Sequence, residues 1–321
     1  MKSQRIAVAG GTGGIGQHVV EGLLEVKVKY SLHIIVLSRS SRPDISFAGS
    51  TTAIVAIDYT DVAAIEKVLS EHKIDTILST LSTNDVEGFA TAQANLLTAS
   101  LNIPTVHRFS PSQYSHDSNA LVETVPFVRV KVAILESLRN AQAQRGSSLE
   151  WTVFHTGAFM NYLGLGNSKP DAFKALGHLA PFPFIFDLKN RKADVPGDGE
   201  RRMVFTAAED AGQFVAEVTQ LDHWEEHSDM KGDWVTLNEI IAMAESFVGR
   251  CKLDIKYNAP EDIIAQIGGS PPSVTNLPLF IYLAIIKGDY EMKRLFNVNE
   301  TLGNLVKPIS VQEFLQKWWE Q

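Results

Sequence analysis

Gly10-Gly11-Thr12-Gly13-Gly14-Ile15-Gly16 is the stretch whose reading decides the fold. It follows Arg5–Ala9 (RIAVA), a short apolar run without polar alternation, and it opens the helical pattern GIGQHVVEGLLE that starts at Gly14. Gly10, Gly13 and Gly16 give a GxxGxxG spacing. In the order strand, glycine turn, helix, the glycines let the chain turn tightly and let its backbone approach a pyrophosphate. The free N–H groups at the start of the helix then face that anion. Gly10, Thr12, Gly13, Gly14, Ile15 and Gly16 are therefore the candidate phosphate loop, with a glycine-rich turn that holds nothing as the ordinary alternative.

Outward from this loop, His33–Leu37, Ala53–Ile57, Asp75–Ser79, Pro104–Arg108 and Trp151–His155 read as further buried strands. Helical patterns separate them, the clearest over Val86–Leu101, with Phe89, Ala92, Leu96, Leu97 and Ala99 on its apolar side. Unalternated strands divided by helices predict a parallel sheet covered on both faces, a Rossmann-like doubly wound α/β domain. The pattern breaks after about residue 156, where a stretch rich in Gly, Pro and aromatics begins. Helices follow near Ala208–Leu221, Leu237–Val248, Pro260–Gly268 and Val311–Trp319, with a strand over Lys252–Tyr257. The expected organisation is a cofactor domain over residues 1–156. A smaller C-terminal α/β substrate lobe then spans residues 157–321, with segments free to return to the sheet.

Composition narrows the function. The 321 residues carry 29 Lys+Arg against 37 Asp+Glu, a net charge of -8, which argues against general nucleic-acid binding. The longest apolar run, Leu277–Ile286, falls short of the roughly 20 residues that a membrane span needs. Cys251 is the single cysteine, so no internal disulfide can form, as suits a reducing compartment. The first residues run straight into a strand pattern without a signal peptide, so the expectation is a cytoplasmic protein, with a homodimer as the candidate assembly.

The end of the second strand bears on the cofactor. An NAD site usually places Asp or Glu there for the ribose 2′-OH. Here the segment reads Leu37-Ser38-Arg39-Ser40-Ser41-Arg42, with two arginines, three hydroxyls and no acid. Ser38, Arg39, Ser40 and Arg42 suit a 2′-phosphate, which favours NADP (NADPH) over NAD. Asp58 is a candidate neighbour of the adenine or, alternatively, a cap for the helix beginning near Asp61. Ser79, Thr80 and Leu81 at the end of the fourth predicted strand, with Gln93, complete the candidate cofactor set.

A Tyr-x-x-x-Lys pair would signal hydroxyl oxidation. The nearest match is Phe127-Val128-Arg129-Val130-Lys131, with the spacing kept and the tyrosine absent. Several segments carry a resemblance at this point. They are the loop GGTGGIG, QANLLTASLNIPTVHRFSPSQY (Gln93–Tyr114), Lys131 with Ile134, Leu135 and Glu136, WTVFHTGAFMNYL, GDWVTLNEIIAMAESFVG, IKGDYEMKRLF and PISVQEFLQKW. As an ordered set spanning the whole chain, they resemble the isoflavone reductase-like and NmrA-like branch of atypical short-chain dehydrogenases. Gln113 stands where that family usually has an acid, and Ser115-His116 replaces a common glycine step. The resemblance implies that Lys131 handles proton transfer or orients the cofactor ribose. Tyr114 and His116 become secondary candidates for acid or substrate contact. Phe109, Tyr114, Phe159, Met160 and Tyr162 become candidate substrate-lining residues, with plain core packing as the alternative for Phe159, Met160 and Tyr162. His155, ending a strand, reads equally well as a satisfied structural histidine.

The expected function is NADPH-dependent reduction of a hydrophobic or aromatic small molecule at an enone, imine or benzylic centre, in secondary metabolism. Two alternatives stay open. One is a non-catalytic NADP(H)-sensing regulator, and the other is a net non-redox isomerase or cyclase on the same scaffold. His223-Trp224-Glu225-Glu226-His227 has histidines four apart but no evident third ligand, so no metal site is expected.

Overall fold

Ile6 and Val8 of the first strand face one hydrophobic core, and Ala7 and Ala9 face another. Ile34 and Val36 of the second strand join the first core, Ile35 and Leu37 the second. A strand buried on both faces has no use for polar alternation, which is why these runs read as continuously apolar. The computed structural model describes all residues except Thr83, Asn84, Pro183, Arg250, Pro271, Val274, Lys293, Leu295 and Gln321, and the side chain of Ser147. Lys293 and Leu295 of the quoted segment IKGDYEMKRLF thus lie outside the described residues.

In the first half of the chain the elements are β1 (Arg5–Ala9), α1 (Gly14–Tyr30), β2 (His33–Ser38), β3 (Ile45–Phe47), β4 (Ser50–Ala56), α2 (Val62–Glu71), β5 (Thr76–Ser79), α3 (Val86–Asn102), β6 (Arg108–Ser110), α4 (Ser118–Leu121), α5 (Arg129–Arg145) and β7 (Glu150–Trp151). They form a sheet of order β3-β4-β2-β1-β5-β6-β7, parallel apart from the β3–β4 hairpin. This is a doubly wound Rossmann-like sheet, and its order reverses between β1 and β5. Helices α2, α3 and α5 supply Ile65, Leu69, Leu96, Leu97, Ile134, Leu135 and Leu138 to the core on one face. Asp61 caps α2 by accepting from Ala64 N–H at 3.0 Å.

Two predicted strands are corrected. The expected strand Pro104–Arg108 starts only at Arg108, because Val106 closes a turn onto the Ile103 carbonyl and His107 N–H bonds the Asp75 carbonyl. Trp151–His155 breaks at Thr152, because the chain changes partners there. Trp151 pairs with Phe109 of β6, whereas β8 (Val153–His155) pairs with a strand from the second half of the chain.

The second half continues with β9 (Ala158–Phe159), β10 (Phe186–Asp187), β11 (Lys192–Pro196), β12 (Arg202–Thr206), α6 (Ala208–Val218), β13 (His227–Asp229), β14 (Asp233–Thr236), α7 (Leu237–Phe247), β15 (Asp254–Asn258), α8 (Pro260–Ile267), α9 (Leu277–Lys287), α10 (Asn297–Leu302) and α11 (Val311–Trp319). Thr236-x-x-Glu239 and Ser310-x-x-Glu313 form capping boxes that start α7 and α11. Two small sheets, β10-β11-β15 and β14-β12-β9, share a third core with α7, α9 and α11. Two segments of this half lie against the first. Strand β13 pairs in parallel with β8, and α6 packs on α1, where a Cβ on Gly22 would stand 2.4 Å from the Gly212 carbonyl. Only glycine permits backbones so close. No helix among the described residues is long and apolar enough to cross a membrane.

Arg108 ties these parts together from below. Its fully buried guanidinium bonds Glu150 at 2.8 Å, the Thr219 carbonyl at 2.9 Å and the Leu221 carbonyl at 2.8 Å, and it lies over the Trp224 ring. A buried cation is tolerable only when its donors are used in this way.

Candidate functional site

The C-terminal ends of β1, β2, β5 and β6 meet at the point where the strand order reverses, the usual crevice for a dinucleotide in such sheets. The glycine loop fills the end of β1. Gly10 has φ +82, and a Cβ there would meet the Thr80 carbonyl at 2.9 Å. A Cβ on Gly16 would lie 2.4 Å from both the Gly10 carbonyl and Thr80 Oγ1. These glycines press the loop against the end of β5. Gly13 and Gly14, by contrast, border open space. The N–H groups of Thr12, Gly13, Ile15 and Gly16 have no acceptor among the described residues, and α1 has no side-chain N-cap. Converging free amides at the start of a long helix fit a phosphate group.

Beside the loop, the Thr80 N–H and hydroxyl both bond the Ala9 carbonyl at 2.8 Å. Ser79 Oγ donates to Gln93 Oε1 at 2.9 Å, Ser112 N–H reaches the same oxygen at 3.3 Å, and Ser112 Oγ donates to the Leu81 carbonyl at 2.8 Å. Gln93 Nε2 stays buried without a partner. This network joins the ends of β5 and β6. Ser112 was not singled out in the sequence, because its partners come from residues 31 and 19 positions away.

At the end of β2, Ser38 is buried and accepts from Ser40 N–H at 3.4 Å, while Arg39, Ser40 and Arg42 are exposed. Neither arginine has a hydrogen-bond or ion-pair partner among the described residues, so both cations are free for an incoming anion. Asp58 is exposed, and its Oδ1 accepts from the Thr60 N–H and hydroxyl at 2.8 Å each, which lowers its pKa. It closes its own turn and does not cap α2. Tyr59, which the sequence did not flag, is buried and donates to the Leu37 carbonyl at 3.0 Å.

Lys131 sits in the first turn of α5. Gln113 Nε2 donates to its carbonyl at 2.9 Å, which fixes the turn against the loop after β6. The Lys131 amine has no hydrogen-bond or ion-pair partner among the described residues, although the residue is half-buried. Burial lowers its pKa to about 8. The cause is desolvation of the ammonium with no carboxylate to compensate.

Tyr114 is buried, stacked on Phe154 with ring centroids 5.8 Å apart, and its hydroxyl has no partner. Burial raises its pKa, so the hydroxyl stays protonated. His116 is 2% exposed and packs on Tyr290 at 4.1 Å between centroids, with neither ring nitrogen bonded. Burial, aided by His155, pushes its pKa down to about 3, so an imidazolium acid at His116 is not present near neutral pH. Phe109 and Met160 are fully buried in hydrophobic clusters. For Met160 this is the core packing given above as the alternative to a substrate wall, and Phe109 packs in the same manner. Phe159 and Tyr162 keep partial exposure, and Tyr162 begins an aromatic chain with Phe182, Phe184 and Tyr282 at successive centroid distances of 5.8, 5.7 and 5.8 Å.

His155 ends β8 with Nε2 3.1 Å from His227 Nδ1, and its pKa is lowered to about 4, chiefly by burial. Nearby, Arg294 bonds Asp117 at 2.6 Å and Asp229 at 2.8 Å. His223-Trp224-Glu225-Glu226-His227 runs as a loop into β13, so His223 and His227 do not share a helix face. His223 contacts Glu150 instead.

The family model described as the NmrA-like family matches residues 2–314. An oxidoreductase of Botryotinia fuckeliana, BOA1, is 33% identical over 248 residues, covering 76% of each chain. A phenylcoumaran benzylic ether reductase of Pinus taeda is 24% identical over 295 residues, covering 89% of this chain and 88% of its own. Among solved structures, a leucoanthocyanidin reductase–NADPH complex from Vitis vinifera aligns over 98% of this chain and 99% of that one. Its TM-score is 0.69 at 21% identity, a likeness of fold. A match over nearly the full length, together with a relative above 30% identity, places this chain in the NmrA-like family.

Proposed function

We propose that this protein is an NADPH-dependent reductase acting on a hydrophobic or aromatic small molecule, at an enone, imine or benzylic centre, in secondary metabolism. The observation that carries the reading is the Lys131 amine, which is desolvated, without a partner and fixed beside the loop after β6. Relatives named as oxidoreductases and as a benzylic ether reductase support the reaction type. The NADPH complex in the same fold supports the cofactor.

The free amides of Thr12, Gly13, Ile15 and Gly16 would hold the pyrophosphate, and Arg39 and Arg42 the 2′-phosphate. When bound, NADPH supplies hydride from nicotinamide C4. Lys131, still charged below pH 8, stabilises negative charge developing on the substrate atom and delivers the proton that completes a two-electron reduction. Its low pKa makes the transfer easier than from an exposed lysine. The Tyr114 hydroxyl, held protonated, is a second donor, and neutral His116 serves as a hydrogen-bonding group. Phe159 and Tyr162 with the chain Phe182–Phe184–Tyr282 supply an apolar, aromatic wall suited to a ring-bearing substrate.

The test is a panel of aromatic enones, imines and benzylic ethers assayed with NADPH and with NADH. NADPH consumption with a product heavier by two hydrogens supports the reading. A product isomeric with its substrate would assign non-redox chemistry. Tight NADPH binding with no turnover, together with capture of a protein partner only in one redox state, would assign a regulator. The absent tyrosine at Phe127 is what favours that second reading.

A further inference from the structure

A strap from the second half of the chain crosses the start of α1. It begins with the short helical turn Ala172–Ala175 and continues through Gly177 and His178. Hydrogen bonds to α1 and to Asn161 pin it. The His178 carbonyl accepts from Gly14 N–H at 3.1 Å. His178 N–H donates to His18 Nε2 at 3.1 Å, and His178 Nε2 bonds Glu21 Oε1 at 2.7 Å. Asn161 Nδ2 donates to the Ala175 carbonyl at 3.1 Å. Gly177, at φ +56, packs against the His18 ring, where a Cβ would stand 2.5 Å from two ring atoms.

Each group in this fastening has a fixed job. His18 is 3% exposed and accepts at Nε2, so its proton is on Nδ1, 3.8 Å from Glu21 Oε2. Burial lowers its pKa and keeps that lone pair available. The cluster His18, Glu21 and His178 therefore acts as a clamp. A metal at His18 Nδ1 would first have to remove the proton that the Nε2 bond places there.

The clamp bears directly on the phosphate loop. Gly14 N–H is one of the orphan donors of the helix start, and the strap takes it. With φ +54 at Gly14, the loop is held by a residue more than 160 positions away in sequence, while the neighbouring amides stay free. We propose that the His178 strap is a clasp for the dinucleotide, with His178 as a positioning residue that presets the free amides of the glycine loop and slows cofactor release. This rests on the reading of that loop as the NADPH site and is independent of which substrate is reduced.

The test measures NADPH dissociation by stopped-flow fluorescence for wild type, His178→Ala and His178→Gln. His178→Ala is expected to release NADPH about tenfold faster, the factor that one hydrogen bond to a charged group is worth. The melting temperature of the cofactor-free protein should stay within a few degrees of wild type. His178→Gln can still reach Glu21 and should restore release to within about twofold. Unchanged release in His178→Ala, or equal release from both variants, overturns the clasp. Should His178→Ala not fold, deuterium exchange on wild type decides. NADPH must slow exchange over residues 172–179, and unchanged exchange overturns the proposal. A wild-type protein that binds no NADPH removes the cofactor reading itself, a result distinct from binding with unaltered release.

Discussion

Replacing Lys131 by Met should stabilise the protein while removing its activity. The amine is held at a pKa of about 8, against 10.5 for an ordinary lysine, by burial with no compensating partner. A lowering of that size corresponds to about 3 kcal/mol spent on keeping the ammonium charged at neutral pH. Solvent reaching this half-buried residue reduces the expected gain for Lys131→Met to about 1–3 kcal/mol at pH 7. The sign follows from linkage. Between pH 8 and 10.5 the unfolded lysine is protonated and the folded one is not, so wild-type stability rises with pH across that window. The gap between variant and wild type should therefore be widest below pH 8 and close as pH approaches 10.5. Urea unfolding of both proteins at pH 7, 8.5 and 10 reads this directly. Turnover should fall by about 10²–10⁴-fold in the same variant. A gap that does not change with pH would refute a desolvated amine, and full turnover in Lys131→Met would refute its chemical role. In wild type, activity should decline as pH rises through about 8, because the proton on Lys131 is then lost.

Other outcomes follow from the same geometry. Arg39→Ala with Arg42→Ala should weaken NADPH binding by at least tenfold and leave NADH binding nearly unchanged, as read by titration. Equal loss for both would show that these cations do not meet the 2′-phosphate. Asp210 accepts from Ile309 N–H and has its pKa raised to about 6, chiefly by burial. Its contribution to stability is thus full below pH 3.8 and is lost as pH rises through 6. Asp210→Asn should gain about 1–3 kcal/mol at pH 7.5 and almost nothing at pH 4 in chemical unfolding, and an equal gain at both pH values would contradict that assignment. Arg108→Met strips a buried cation from Glu150 and two carbonyls and should cost about 3–5 kcal/mol, with a loss under 1 kcal/mol showing that the guanidinium is not what holds these segments.

The family, the sheet and the glycine turn between β1 and α1 were legible because their signals are local. A strand, a glycine turn and a helix occupy consecutive residues, and two-sided burial of β1 and β2 shows as unbroken apolar runs. The capping boxes at Thr236 and Ser310 mark helix starts for the same reason. Lys131 drew attention through its spacing from Phe127, not through any property of its own.

Tertiary structure decided the rest, because burial and hydrogen bonding depend on partners far away in sequence. Phe109 and Met160 look like cleft aromatics and apolar contacts in a one-dimensional reading, yet packing places them inside cores. His116 looks like an acid, but burial, aided by the neighbouring His155, keeps it neutral. Trp151–His155 reads as one strand until β13 takes over the pairing of its second half. His178 carries no local signal at all. Its link to the glycine loop exists only because the fold brings residue 178 onto the first turns of α1, where its carbonyl takes the Gly14 amide. The sequence thus determined where the glycine turn at the end of β1 would form, and the tertiary structure decided which of its amides stay unpaired among the described residues.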